Sequence, residues 1–283
     1  MEKSSIKKIL ITGAKGMLGH DLIDKLKDYE IIATDIDELD VTKESAISQI
    51  KDSNPDIIVH LAAYTDVDGC EDNISQAFEV NALGTRNVAI ASKELDIPMI
   101  YISTDYVFDG KKDSPYFEFD TPNPLNIYGK SKLAGEWFTQ NLSPFPIIVR
   151  TSWLYDKYGK NFVYTILNLA KRNNTLKIVD DQIGSPTYTK DLAEALKLII
   201  GSPQPGIYHV TNSGFCSWYE FAKEILSLKT INVNVIPIKS EELKRPATRP
   251  KNSKLHNFIF YKTYGIHLPN WRSALKSFLQ EID

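Results

Sequence analysis

Tyr128 and Lys132 stand four residues apart in the run Tyr128-Gly129-Lys130-Ser131-Lys132, a spacing that puts both side chains on one face of a helix. A phenol ionises near pH ~10 and keeps its proton at neutrality. An ammonium held beside it would stabilise the phenolate, lower that pKa and make Tyr128 a better proton donor. A Tyr-x-x-x-Lys pair is common by chance, so the pair needs company. Ser103-Thr104-Asp105 supplies it by ending an apolar run, which sets hydroxyls at the carboxyl edge of a sheet, where ligands sit in open α/β folds. There Thr104 could hydrogen-bond a carbonyl oxygen next to the Tyr128 phenol. Together they would polarise a ketone as negative charge develops on arrival of a hydride.

A hydride donor requires a nucleotide site, and the N-terminal end of the chain offers one. The run Lys8 to Thr12 leads straight into Gly13-Ala14-Lys15-Gly16-Met17-Leu18-Gly19, with glycines three apart. A pyrophosphate at a helix N-terminus needs a tight turn, a close backbone approach and close packing of helix on strand, and glycine suits all three. The spacing departs from G-x-G-x-x-G, so context matters. Asp35 ends the second strand, where a carboxylate can accept from adenosine ribose hydroxyls. That carboxylate would repel the 2′-phosphate of NADPH and favour NADH, whereas Lys15 could offset the repulsion. The expected cofactor is NADPH or NADH.

These groups must be positioned by a scaffold. Strands are expected at Lys8–Thr12, Glu30–Thr34, Asp56–His60, Pro98–Ser103 and Ile147–Arg150. Between them the pattern predicts helices from the glycine turn to about Lys27, over Thr42–Lys51, from about Ile74 to Leu95, and over about Asn126–Asn141. Apolar strands separated by amphipathic helices imply a parallel sheet covered on both faces, with right-handed crossovers: an α/β, doubly wound, Rossmann-like fold. Past Thr151 the order loosens, with helices over Asn161–Lys171, Lys190–Ile200 and Ser217–Leu228 and strands at Leu176–Val179 and Ile207–Val210. We expect a dinucleotide-binding domain over residues 1–150, joined by segments of about 176–210, and a smaller C-terminal substrate domain over 151–283.

Composition excludes several alternatives. Of 283 residues, 42% are hydrophobic and 24% charged, which suits a globular protein with a large core. The net charge of −3 gives no reason to expect a nucleic-acid partner. No run approaches the ~20 apolar residues of a membrane helix, and the polar start (Met1 to Lys8) carries no signal-peptide pattern. Cys70 and Cys216 lie far apart with no metal-type spacing, so free thiols and a cytoplasmic setting are expected. His60 and His209 fall within strands and read as packed; His20, His256 and His267 show no metal spacing. Trp218, Phe221 and Ile225 read as the buried face of a helix.

Longer stretches carry more than these motifs. HLAAYTDVDGCE from His60, STDYVFDG from Ser103, RTSWLY from Arg150, DDQIGSPTYTKDLA from Asp180 and Arg245-Pro246 join the glycine loop and YGKSK over nearly the whole chain. Together they resemble the extended short-chain dehydrogenase/reductases, and within them the dTDP-4-dehydrorhamnose reductase family. The resemblance implies NAD(P)H-dependent reduction of the C4 ketone of dTDP-4-dehydro-β-L-rhamnose to dTDP-L-rhamnose, with Thr104, Tyr128 and Lys132 catalytic. It implies cofactor contacts from Gly13, Lys15, Gly16, Met17, Leu18, Gly19, Asp35, Asp40, Val41, Ala62, Ala63, Tyr64, Thr65 and Ile102, besides Tyr128 and Lys132. Val67, Thr104, Asp105, Tyr128 and Trp153 fall where the family contacts substrate, and the basic segment Arg245 to Lys254 would lie near the nucleotide diphosphate. Met17 and Asp66 stand where the family often has glutamine and alanine. Some members dimerise through a magnesium-bridged acidic surface; those acids find no match here, so no metal is expected, and a homodimer stays open. Two other readings remain: reduction of another nucleotide-linked 4-keto-6-deoxy sugar, and a non-catalytic regulatory subunit resembling that of methionine adenosyltransferase.

Overall fold

The computed structural model describes residues 6–282. Six parallel strands form its central sheet. β1 (Lys8–Thr12), α1 (Met17–Lys25), β2 (Glu30–Thr34), α2 (Ser45–Ser53) and β3 (Ile57–His60) open the chain. α3 (Val67–Asp72), α4 (Ile74–Phe78), α5 (Thr85–Leu95), β4 (Pro98–Thr104), α6 (Ile127–Leu142) and β5 (Phe145–Thr151) follow. From the second half come β6 (Leu154–Tyr155), α7 (Phe162–Ala170), β7 (Thr175–Val179), β8 (Ile183–Gly184), β9 (Thr187–Tyr188), α8 (Thr189–Gly201) and β10 (Gly206–His209). The chain closes with β11 (Cys216–Ser217), α9 (Trp218–Leu228), β12 (Asn234–Ile238), α10 (Phe258–Tyr264) and α11 (Trp271–Glu281).

The sheet order is β10-β5-β4-β3-β1-β2, all parallel. Alternation along β1 explains why both faces are covered. Ile9 and Ile11 pack with Leu22, Leu192, Leu196 and Ile199 of α1 and α8, while Leu10 points the other way to Ala46, Ile50 and Val88 of α2 and α5. Each large aliphatic side chain buried in this way contributes roughly 1.5–3 kcal/mol. Strand order reverses between β1 and β3, and the carboxyl ends of those two strands frame a crevice suited to a ligand.

The helix expected over Ile74–Leu95 is present but broken in register. Its middle, Glu79–Gly84, is a π-helical turn between α4 and α5. The segment of about 176–210 divides: α8 packs on α1 and β10 pairs with β5, whereas β7 pairs with β12 in a separate two-stranded sheet. A second aromatic core, including Tyr155, Phe221, Trp271 and Phe278, holds α7, α9 and α11 together.

Candidate active site

A cleft of about 900 Å³ runs along the carboxyl edge of the sheet. Its floor begins at Gly13, whose φ of +69° suits glycine and whose missing Cβ would stand 2.6 Å from the Ala62 backbone nitrogen. At Gly19 a Cβ would meet the Ala14 carbonyl at 2.3 Å, so no larger residue lets α1 lie this close to β1. Gly16 caps α1 without a side-chain hydrogen bond, and no acid sits in the helix's first turn. The free N–H groups and the positive end of the helix dipole are therefore left for an anion. This cradle fits a dinucleotide diphosphate.

Beyond the loop, Asp35 accepts the Lys15 N–H at 2.9 Å and the Ile36 N–H at 2.9 Å. The Lys15 ammonium is held by Asp37 (3.1 Å) and Glu38 (2.9 Å). Asp40 accepts from the Thr42 N–H (3.0 Å) and hydroxyl (2.7 Å), fixing the turn that carries Val41 into the cleft. On the facing wall, Ala62, Ala63, Tyr64 and Thr65 leave β3 as an irregular segment. Its anchor is Asn81, in the π turn, whose amide accepts the Tyr64 N–H (2.8 Å) and donates to the Tyr64 carbonyl (3.0 Å) and Ser131 Oγ (3.0 Å). Asn81 escaped the sequence reading, because a π turn within a long helical pattern leaves no periodic mark.

Thr104, Tyr128 and Lys132 meet at the far end of the cleft. Thr104 is the last residue of β4, and its hydroxyl donates to Asp105 Oδ1 at 3.0 Å and accepts the Tyr106 N–H at 3.2 Å. Asn126 caps α6 by accepting the Gly129 N–H at 2.8 Å, which starts the helix just before Tyr128. Burial pushes the Tyr128 phenol above its ordinary range, and the Thr104 hydroxyl draws it back. Burial pulls Lys132 down to about 7 against the opposing charge of Glu136. Its ammonium donates to the Ile102 carbonyl at 2.6 Å and lies 4.2 Å from the centre of the Tyr101 ring. Loss of water around the phenol is what raises the Tyr128 pKa, and Thr104, rather than the expected Lys132, is the neighbour that favours the phenolate. Asp105 is pushed up to about 7 by burial, and its Oδ2 lacks a hydrogen-bond partner among the described residues.

The substrate wall is aromatic. Trp153, at a left-handed φ of 48°, stacks on Trp218 with ring centroids 3.4 Å apart and planes at 8°. Gly184 permits this, because a Cβ there would fall 2.5 Å from the Trp153 ring. Phe221 and Ile225 are buried as expected, but Trp218 turns into the cleft wall and donates from its indole nitrogen to Gln182 at 3.2 Å. Helical periodicity marks a face without saying what covers it, which is why Trp218 read as core.

Every cofactor and substrate position anticipated from the sequence, Val67 and Ile102 included, lines this cleft. The basic segment is the exception, since no residue from Arg245 to Lys254 lines it. Arg249 instead grips Asp68 with two hydrogen bonds (2.9 and 2.8 Å), and Arg245 reaches the same carboxylate at 4.0 Å. Lys251 pairs with Asp181 at 3.8 Å, and Lys254 donates to the Asp113 carbonyl at 2.8 Å. His60 is packed between Thr12 (2.6 Å) and Thr85 (3.1 Å), with burial holding its pKa at about 3. Among the described residues no cluster of three or more His, Cys, Asp or Glu side chains is arranged to hold a metal, and no helix is long and apolar enough to cross a membrane.

Known proteins are similar to this chain over nearly its whole length. A spore coat polysaccharide biosynthesis protein of Bacillus subtilis is 42% identical, with 97% of each chain covered. The dTDP-4-dehydrorhamnose reductase of Aggregatibacter actinomycetemcomitans is also 42% identical, over 95% of this chain and 97% of the relative. The crystal structure of dTDP-4-dehydrorhamnose reductase from Bacillus anthracis in complex with NADP superposes with a TM-score of 0.95 at 44% identity, covering 98% of this chain and 99% of that one. Residues 7–283 match the RmlD substrate binding domain family, and the chain belongs to that family.

Proposed function

We propose that this chain is an NAD(P)H-dependent sugar-nucleotide reductase that converts dTDP-4-dehydro-β-L-rhamnose to dTDP-L-rhamnose. The observation that carries the reading is the convergence of Thr104, Tyr128 and Lys132 on one cleft with the Gly13–Gly19 cradle. Relatives named dTDP-4-dehydrorhamnose reductase support the choice of sugar.

The glycine cradle holds the diphosphate of the dinucleotide, Asp35 takes the adenosine ribose, and Lys132 reaches the nicotinamide ribose. When bound, the reduced nicotinamide supplies a hydride to the ketone carbon. Thr104 orients the C4 carbonyl oxygen by turning toward it the single hydroxyl proton that it otherwise gives to Asp105. Tyr128 Oη, kept protonated by its buried setting, gives its proton to that oxygen as it becomes a hydroxyl. Asp105 Oδ2, left without a partner, accepts from a sugar hydroxyl, and the Trp153 face packs on the sugar ring. Two free cysteines and the nicotinamide chemistry support a cytoplasmic setting for this reaction.

Tyr128→Phe tests it. The variant should lose about 10²–10⁴-fold in turnover, the usual worth of a general acid, while nicotinamide fluorescence titration gives unchanged dinucleotide binding. Turnover equal to the parent protein would remove Tyr128 from the chemistry.

A further inference from the structure

Among the described residues three lysines line the cleft: Lys15, Lys132 and Lys160. Two are already engaged. Lys15 is paired with Asp37 and Glu38, and Lys132 donates to the Ile102 carbonyl. Among the described residues, no carboxylate, carbonyl or hydroxyl holds the ammonium of Lys160. No arginine lines the cleft, so among the described residues a ligand diphosphate entering it meets one unengaged cation.

The loop that carries Lys160 joins β6 to α7 and belongs to the C-terminal half, yet it leans on the glycine cradle. Tyr158 stacks on His20 of α1 with centroids 4.2 Å apart and planes at 27°. Gly159, at φ +69°, lies so close to Met17 that a Cβ there would be 3.3 Å from Met17 Cγ. Met17 is the first residue of α1, the helix whose uncapped N-terminus faces the cleft. Lys160 follows Gly159 directly, and just after it Asn161 caps α7 by accepting the Tyr164 N–H at 3.2 Å, which fixes where the loop ends. An ammonium at this place supplements the helix dipole with a full positive charge.

We propose that Lys160 binds the diphosphate of the nicotinamide dinucleotide, reaching across from the substrate half to clasp the cofactor over the N-terminus of α1. The proposal rests on the reductase reading above and adds a cofactor contact that the glycine-loop motif does not contain. The sugar nucleotide also brings a diphosphate; contact of the loop with Met17 and His20 assigns Lys160 to the dinucleotide.

The test uses the full chain with Lys160→Ala and Lys160→Arg. Affinities for NADH, ADP, AMP and thymidine diphosphate are measured by fluorescence or calorimetric titration at two salt concentrations. Loss of one charge-assisted hydrogen bond should weaken NADH and ADP binding about tenfold in Lys160→Ala. AMP and thymidine diphosphate should change little, the salt dependence of NADH binding should shrink, and Lys160→Arg should restore most of the affinity. Unchanged NADH affinity in Lys160→Ala overturns the proposal. So does a loss confined to thymidine diphosphate, which would give the lysine to the sugar nucleotide, or an equal loss for AMP, which would mean a general disturbance of the loop. A parent protein that binds no dinucleotide defeats the reductase reading itself, whereas failure of Lys160→Ala alone leaves that reading intact.

Discussion

Asp105 has a buried carboxyl, a pKa that burial pushes up to about 7 and one oxygen without a hydrogen-bond partner among the described residues. Between its ordinary value near 3.8 and about 7, the folded chain holds a proton there that the unfolded chain has released. Stability therefore falls as pH rises through that window and levels off above it. Asp105→Asn should flatten this part of the pH dependence and raise the thermal midpoint at pH 8 relative to the parent protein. Thermal melts from pH 4 to 8 check it, and parallel curves for the two proteins would show that Asp105 ionises without cost. Sugar-nucleotide affinity should fall in the same variant, because the free acceptor is lost. The Tyr128–Lys132 spacing, Thr104 at the strand end and Asp35 were all legible in the sequence, since each follows from a fixed local geometry. Their tuning was not. Lys132 turns to the Ile102 carbonyl and burial dominates at Tyr128, and both depend on packing by residues distant in the chain.

α6 is the element that sets the chemistry in register with the sheet. One turn beyond Lys132 it carries Glu136, which accepts from Arg150 of β5 at 2.8 and 2.7 Å and from Ser103 of β4 at 2.5 Å. Both charged side chains are only 2% exposed, so each depends on the other for compensation. Glu136→Ala should cost about 3–5 kcal/mol, because it leaves Arg150 buried and unpaired. Urea unfolding measures this, and adding Arg150→Met should recover part of the loss. A cost below about 1 kcal/mol would mean that water already reaches the pair. The strands of the sheet declared themselves in the sequence as continuous apolar runs and the helices between them by their amphipathic pattern. The π turn at Glu79–Gly84 did not, although it aims Asn81 at the Tyr64 segment and so shapes the cofactor wall.

Across the whole molecule, the cleft is made where the two halves of the chain touch. The N-terminal half supplies the cradle and the Thr104–Tyr128–Lys132 cluster; the C-terminal half supplies Trp153, Trp218 and Lys160. The strap from Arg245 to Lys254 is tied across to α3 through Arg249 and Asp68, and Gly110 lies under Pro250 and Lys251. Of the C-terminal strands, β7 and β10 were legible in the sequence, whereas β12 and the two-residue strands β6, β8, β9 and β11 were not. A two-residue strand carries no periodicity of its own. The strap's charges pointed to a phosphate, but they are used largely against the protein's own carboxylates, an outcome that a basic run cannot reveal by itself. The central claim is that this assembled cleft reduces a nucleotide-linked keto sugar. Its most direct test follows the near-ultraviolet absorbance of NADH and of NADPH, separately, after adding dTDP-4-dehydrorhamnose to the purified chain. The account predicts rapid loss of absorbance with at least one cofactor, with dTDP-L-rhamnose formed in equal amount. Stable absorbance with both, from a protein that binds dinucleotide and sugar nucleotide together, would contradict it.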